Sequence, residues 1–273
     1  MDKKYKLTEE TINVNGITLY RIEALRDFAN VKKGDKGGFV EKEDNLSQNG
    51  DCWVYGNAKV YDDAVVYGNA EVFGDAVVCG HAKVCGNAVV YGRAKVCDNA
   101  KVRNEAKVSD DVVVCGNAWV CGNAEVYDNA KVRDNAVVSD SAVVCGNAEI
   151  FDNATIYDNA IIYGNAEVGS NARVYGYAFV YDNAEVCGNA KVHDDARVYD
   201  NAVVFDYAEV YNNAQVYDKA EVCDNAEIYG NAEIYGNARV YCNTVVCDNA
   251  EVCGYSKLFG NAVIRDNTKV CDD

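Results

Sequence analysis

From Val54 to Val270 every sixth residue is Val, Ile or Leu, thirty-seven times without a break, and the residue two places earlier is, with few exceptions, alanine. Self-similarity at so short a period marks a β-solenoid, in which each hexad forms one side of a coil and stacked coils bury a shared interior. Written N-A-x-V-Y-G, the hexad points Ala inward, x outward, Val inward and Tyr or Cys outward, then turns a corner. Such a corner needs a residue that tolerates positive φ, and Asn57, Asn69, Asn87, Asn99 and Asn117 are expected to fill that place. The chain has no proline, as suits a ladder in which nearly every backbone N–H is donated to the next coil. A pentapeptide solenoid is excluded by the period.

The organisation expected is a cap over residues 1–50 and a β-solenoid over residues 51–273. The cap holds nine acidic and nine basic residues, so the whole formal charge of −17 lies on the repeats. Nucleic acid and anionic membranes both call for a basic footprint, so neither is expected as a partner. No apolar run has the length of a membrane span, and MDKKYKLTEETINVNG lacks the apolar core of a secretion signal; the expected location is the cytoplasm. Thirteen cysteines, odd in number and set at outward positions, read as reduced packing residues of a reducing compartment.

In the cap, Ile12, Val14, Ile17 and Leu19 flank Asn15-Gly16, a strong hairpin signal. This hairpin, with Phe28, Phe39 and Val40, is expected to cover the open end of the first coil. Lys33-Gly34-Asp35-Lys36-Gly37-Gly38 matches no nucleotide-binding spacing and reads as a plain turn. The last hexad, at Val270-Cys271-Asp272-Asp273, is read as an open coil whose strand edges invite association.

The repeat resembles the [LIV]-x-x-x-[STAV]-x pattern of the hexapeptide-repeat, left-handed parallel β-helix family over about four-fifths of the chain. The segments Gly37-Gly38-Phe39-Val40, Leu46-Ser47-Gln48 and Gly50-Asp51-Cys52-Trp53-Val54-Tyr55 resemble the cap-to-helix junction of YdcK-like bacterial proteins, which are usually labelled transferases without an established reaction. The resemblance implies an all-β, single-stranded left-handed parallel β-helix of about 12 triangular coils, each of three hexads and 18 residues. Outward side chains eighteen apart then stack in columns.

One such column carries Tyr163, Tyr181, Tyr199, Tyr217 and Tyr235, with Val143, Ile161 and Phe179 beside its lower part. Stacked rings stabilise one another as cross-strand pairs do, and a strip of this size also has the character of an association surface. A second column stacks Cys79, Cys97 and Cys115, with Cys187 and Cys223 further on. Thiols in a straight column do not converge tetrahedrally, so no metal is expected, although neighbours one coil apart fall within disulfide reach. Glu149, Glu167 and Glu185 stack beside the cysteines, and Asp182, Asp200 and Asp218 stack at a corner.

Many proteins of the resembled family are acyl-CoA or acyl-carrier-protein transferases that use a histidine as general base. Here only His81 and His193 are present. His193 is the better candidate catalytic residue, flanked in its column by Tyr175 and Tyr211, while the ordinary reading makes both histidines tolerated surface substitutions. The preferred function is a non-catalytic structural or interaction scaffold, without cofactor or metal, that self-associates or docks another protein through the aromatic face. The alternatives are an acyltransferase acting at a subunit interface and an acidic DNA mimic that binds a basic protein.

Overall fold

A computed structural model describes residues 3–272, which fall into two compact units divided between Asp134 and Asn135. The first unit opens with strands β1 (Tyr5–Val14) and β2 (Ile17–Ala24), paired antiparallel through a tight turn. Asn15 and Gly16 take φ of 51° and 89°, the two successive left-handed residues that a primed hairpin turn requires. Strand β3 (Lys36–Val40) pairs antiparallel with β2 and parallel with Lys59–Val60, and so converts the hairpin into the solenoid ladder.

The segment Lys33–Gly38 is not the plain turn expected of it. Only Lys33 and Gly34 turn, whereas Gly37 and Gly38 lie within β3. They are glycine because the strand presses on the first coil: a Cβ on Gly38 would stand 2.5 Å from the Ala58 carbonyl oxygen and 2.6 Å from the Val54 side chain. Phe28, Phe39, Val40 and Leu19 are buried in this cap, and Phe28 meets Trp53 edge-on at 5.3 Å. Lys4 is also fully buried, its ammonium donating to the carbonyls of Cys52 at 2.8 Å and Gly50 at 3.2 Å. Burial lowers its pKa.

Beyond the cap the chain runs in short strands, nearly all of two residues, which within each unit pair in parallel with the strand eighteen residues on. In the first unit one side stacks Lys59, Val77, Lys95 and Val113, a second Glu71, Val89, Lys107 and Glu125, and a third Val65, Lys83, Lys101 and Trp119. The second unit repeats this, as in Val143–Ile161–Phe179–Arg197 and Glu149–Glu167–Glu185–Val203. Three hexads therefore make one coil of an all-β parallel β-solenoid. Among the described residues one face carries five strands in the first unit, Trp53–Val54 to Glu125–Val126, and eight in the second, Val143–Val144 to Lys269–Asp272, close to the twelve coils expected.

The interior follows from the alternation. Ala178 and Val180, like nearly all their equivalents, have no exposed surface. Each buried Val or Ile contributes about 1.5–3 kcal/mol of burial. Two buried hydroxyls in the alanine slot find carbonyls, Thr244 donating to Tyr241 at 2.8 Å and Ser256 to Val270 at 3.2 Å.

The corners differ from the expectation. Positive φ falls on the Gly or Asp that precedes the Asn, as at Gly56 (60°), Asp98 (59°), Gly116 (67°) and Asp158 (57°), while Asn57, Asn99, Asn117 and Asn159 stand one place later. Aspartate is among the L-residues that accept the left-handed region most readily. Its carboxylate also reaches one coil onward to accept a corner N–H, from Gly80 to Asp62 at 3.0 Å, Gly116 to Asp98 at 2.9 Å and Cys242 to Asp224 at 2.8 Å. The asparagines build amide ladders instead, Asn147 donating to Asn165 and Asn165 to Asn183, both at 2.9 Å.

Candidate functional site

Each ladder tyrosine follows an inward Val or Ile on the side that runs through Val143, Ile161 and Phe179, so strand register alone sets its position. The Tyr163 N–H donates to the Val180 carbonyl at 3.1 Å and that of Tyr181 to Val198 at 3.0 Å, which locks each ring base to the next coil. The rings then stack in parallel: Tyr163 on Tyr181 at 4.8 Å, Tyr181 on Tyr199 and Tyr199 on Tyr217 at 4.9 Å, and Tyr217 on Tyr235 at 5.1 Å. Those separations match the spacing of neighbouring strands. All eight residues expected to form the strip are brought together, half-buried, on one face of the second unit.

The two ends of the strip differ in what the hydroxyls meet. The hydroxyls of Tyr199, Tyr217 and Tyr235 donate to Gln215 at 3.3 Å, Glu233 at 3.0 Å and Glu251 at 2.9 Å. The corresponding neighbours of Tyr163 and Tyr181 are Phe179 and Arg197. Partial burial, and then the adjacent Tyr181 phenol, pushes the pKa of Tyr199 up to about 12, and burial raises those of Tyr163 and Tyr181 as well.

The column in which Tyr175 and Tyr211 flank His193 is a second aromatic ladder, longer by Tyr157 and Tyr229 than the sequence reading has it. Tyr157, Tyr175, His193, Tyr211 and Tyr229 stack with centroid separations of 4.6–5.1 Å. His193 is thus no loose surface substitution; it is the middle rung, with a side chain only 13% exposed. Its Nε2 lies 2.9 Å from a Glu209 oxygen and its Nδ1 3.4 Å from Asp194, so both nitrogens face carboxylates of its own surroundings. His81 is exposed, 3.5 Å from Asp63. Beside the second ladder, an open trough of about 560 Å³ runs along a corner from Tyr177, which is 60% exposed, past Asp194, Asp195 and Asn213.

The cysteines also depart from expectation at one place. Cys253 and Cys271, expected as reduced packing residues, are joined in a disulfide across adjacent coils, with Cα atoms 4.5 Å apart. In-register parallel pairing sets that separation, which lies within the range a disulfide spans. Cys79, Cys97 and Cys115 stack as free thiols in the first unit.

The stacked acids prove to be of two kinds. Glu149, Glu167 and Glu185 are paired in register, outward on their side. Asp182, Asp200 and Asp218 hold φ of 57–59°, and the carboxylates of Asp200 and Asp218 accept the N–H groups of Asp218 and Gly236. The corner acids are therefore structural acceptors rather than only a cost of like charge. Among the described residues no three His, Cys, Asp or Glu side chains are grouped to hold a metal ion.

The hexad geometry has a counterpart among known repeats. A family model of the YdcK β-solenoid repeat matches residues 232–248. That segment includes the strands Glu233–Ile234, Arg239–Val240 and Val245–Val246, one from each of the three sides, and the ladder residue Tyr235. No curated protein matches the chain. No helix among the described residues is long and apolar enough to cross a membrane.

Proposed function

We propose that the chain is a non-catalytic β-solenoid scaffold that docks onto a second copy of itself through the face formed by Tyr163, Tyr181, Tyr199, Tyr217 and Tyr235 with Val143, Ile161 and Phe179. The observation that carries this reading is the ladder itself, five parallel rings held at 4.8–5.1 Å by strand register. Rings already ordered by their neighbours lose little rotamer freedom on contact, and tyrosine supplies apolar area with a polar tip. A partner that meets every ring in phase must share the coil repeat, which a second copy does. An isologous pair then forms from one patch. The acyltransferase and DNA-mimic alternatives draw no comparable support, since both nitrogens of His193 face neighbouring carboxylates and the repeats before residue 134 mix Lys and Arg with the acids.

The test is solution mass by sedimentation velocity for the unaltered chain and for Tyr181→Glu and Tyr199→Glu. The expected result is an oligomer that each substitution dissociates, with circular dichroism unchanged. A monomeric parent, or an assembly that neither substitution disturbs, overturns the reading.

A further inference from the structure

Cys79, Cys97 and Cys115 each follow an inward valine, and Val78, Val96 and Val114 pair in parallel register, so the three thiols leave one face on successive coils. The Cys253–Cys271 disulfide joins the same kind of positions: both residues follow paired valines, Val252 and Val270, and are eighteen apart. The backbone of this solenoid therefore accepts an S–S bond between such neighbours. Within the first unit the two possible pairs are not equivalent. Tyr61, Cys79 and Cys97 follow the paired valines Val60, Val78 and Val96 on successive coils, so Cys79 stands between the phenol and the second thiol, and Lys95 lies on the Cys97 strand. The pKa of Cys115, one coil further on, is raised by burial and then by the carboxylates of Asp98 and Asp134, with Arg133 and Lys95 opposing.

We propose that Cys79 and Cys97 form a redox site that a small hydroperoxide oxidises to an intramolecular disulfide joining two adjacent coils. Cys79 is the attacking thiolate. Its neighbour Cys97, against the opposing effect of burial, and then Tyr61 and Lys95 draw its pKa down, while that of Cys97 rises. Thiolate, not thiol, is the nucleophile. Its sulfur attacks one peroxide oxygen; an S–O bond forms, the O–O bond breaks, and the leaving oxygen departs as water or alcohol after protonation. Cys97 then attacks the resulting sulfenic acid; the S–S bond forms, the S–O bond breaks, and hydroxide leaves as water with the Cys97 proton. Two sulfurs give up two electrons and the peroxide takes them. A small oxidant is specified because Cys79 is only 8% exposed.

The experiment uses the full chain, reduced, freed of reductant, treated with one equivalent of hydrogen peroxide, alkylated and digested with trypsin, which releases Cys79, Cys97 and Cys115 on separate peptides. The expected product is the Cys79 peptide linked to the Cys97 peptide with the loss of two hydrogens, retained in Cys115→Ser and lost in Cys79→Ser. Alkylation of Cys79 should be half-maximal below the ordinary thiol pKa and shift to higher pH in Cys97→Ser, a readout that needs no disulfide to form. A link between Cys97 and Cys115, sulfinic acid on Cys79 without a link, or a Cys79 profile that ignores Cys97→Ser each overturns the proposal.

Discussion

Asp224 offers the sharpest test of how the corners are held. It stands at φ 57°, and its carboxylate accepts the Cys242 N–H from one coil onward at 2.8 Å. Asp224→Ala puts an ordinary L-residue in the left-handed region, at about 1–2 kcal/mol, and removes one partly buried hydrogen bond worth about 1 kcal/mol. The expected loss is then about 2–3 kcal/mol. Asp224→Gly removes the same bond but relieves the backbone, and with the extra chain entropy of glycine it should cost about 1.5 kcal/mol. Asp224→Asn keeps both the conformation and an acceptor oxygen and should cost under about 0.5 kcal/mol. Urea unfolding followed by far-UV circular dichroism orders the three variants. Because coils of a repeat protein can open separately, hydrogen exchange at the Cys242 amide supplies the local reading. If Ala and Gly prove equally costly, the left-handed conformation carries no penalty and the corner argument fails. If Asn is as damaging as Gly, the side chain acts by its charge and not as an acceptor.

Two further outcomes are expected. Gly38→Ala should destabilise the cap by about 1–3 kcal/mol, because the added methyl meets the fixed Ala58 carbonyl oxygen at 2.5 Å; fluorescence of buried Trp53 in a Trp119→Phe background should shift to the red, and an unshifted spectrum would count against close packing of β3. Absorbance titration of the tyrosines should show a phenol class at about 12, as for Tyr199. The folded pKa is raised, so this contribution to stability is complete below about pH 10 and declines as pH climbs through the folded value; a urea midpoint unchanged between pH 9 and 11.5 would refute it.

Much of the molecule is legible in the sequence because side-chain direction along a strand is local. Ala178 and Val180 point inward and Phe179 and Tyr181 outward from a period-two alternation that any one hexad displays. The Asn15-Gly16 turn is likewise local, as two left-handed residues close a hairpin without help from the rest of the chain. The corner was misassigned by one place because Asn, Asp and Gly all tolerate positive φ in isolation. What separates them is a carboxylate reaching an N–H eighteen residues away and an amide reaching another amide at the same separation, as at Asp224 and Asn165. Neither partner is visible within a hexad.

The same distinction governs the candidate sites. That Tyr181 faces outward was written in its hexad, but that it lies on Tyr199 and not beside some other ring depends on three hexads closing one coil, a count the sequence supported only through resemblance. The second ladder, with His193 between Tyr175 and Tyr211, and the Cys253–Cys271 bond follow from that count as well. Alternation is set by the geometry of one strand, so a chain of hexads determines its own inside and outside. Stacking is set by the sum of three corner bends and the hydrogen bonds that close them, and only the folded coil decides that sum.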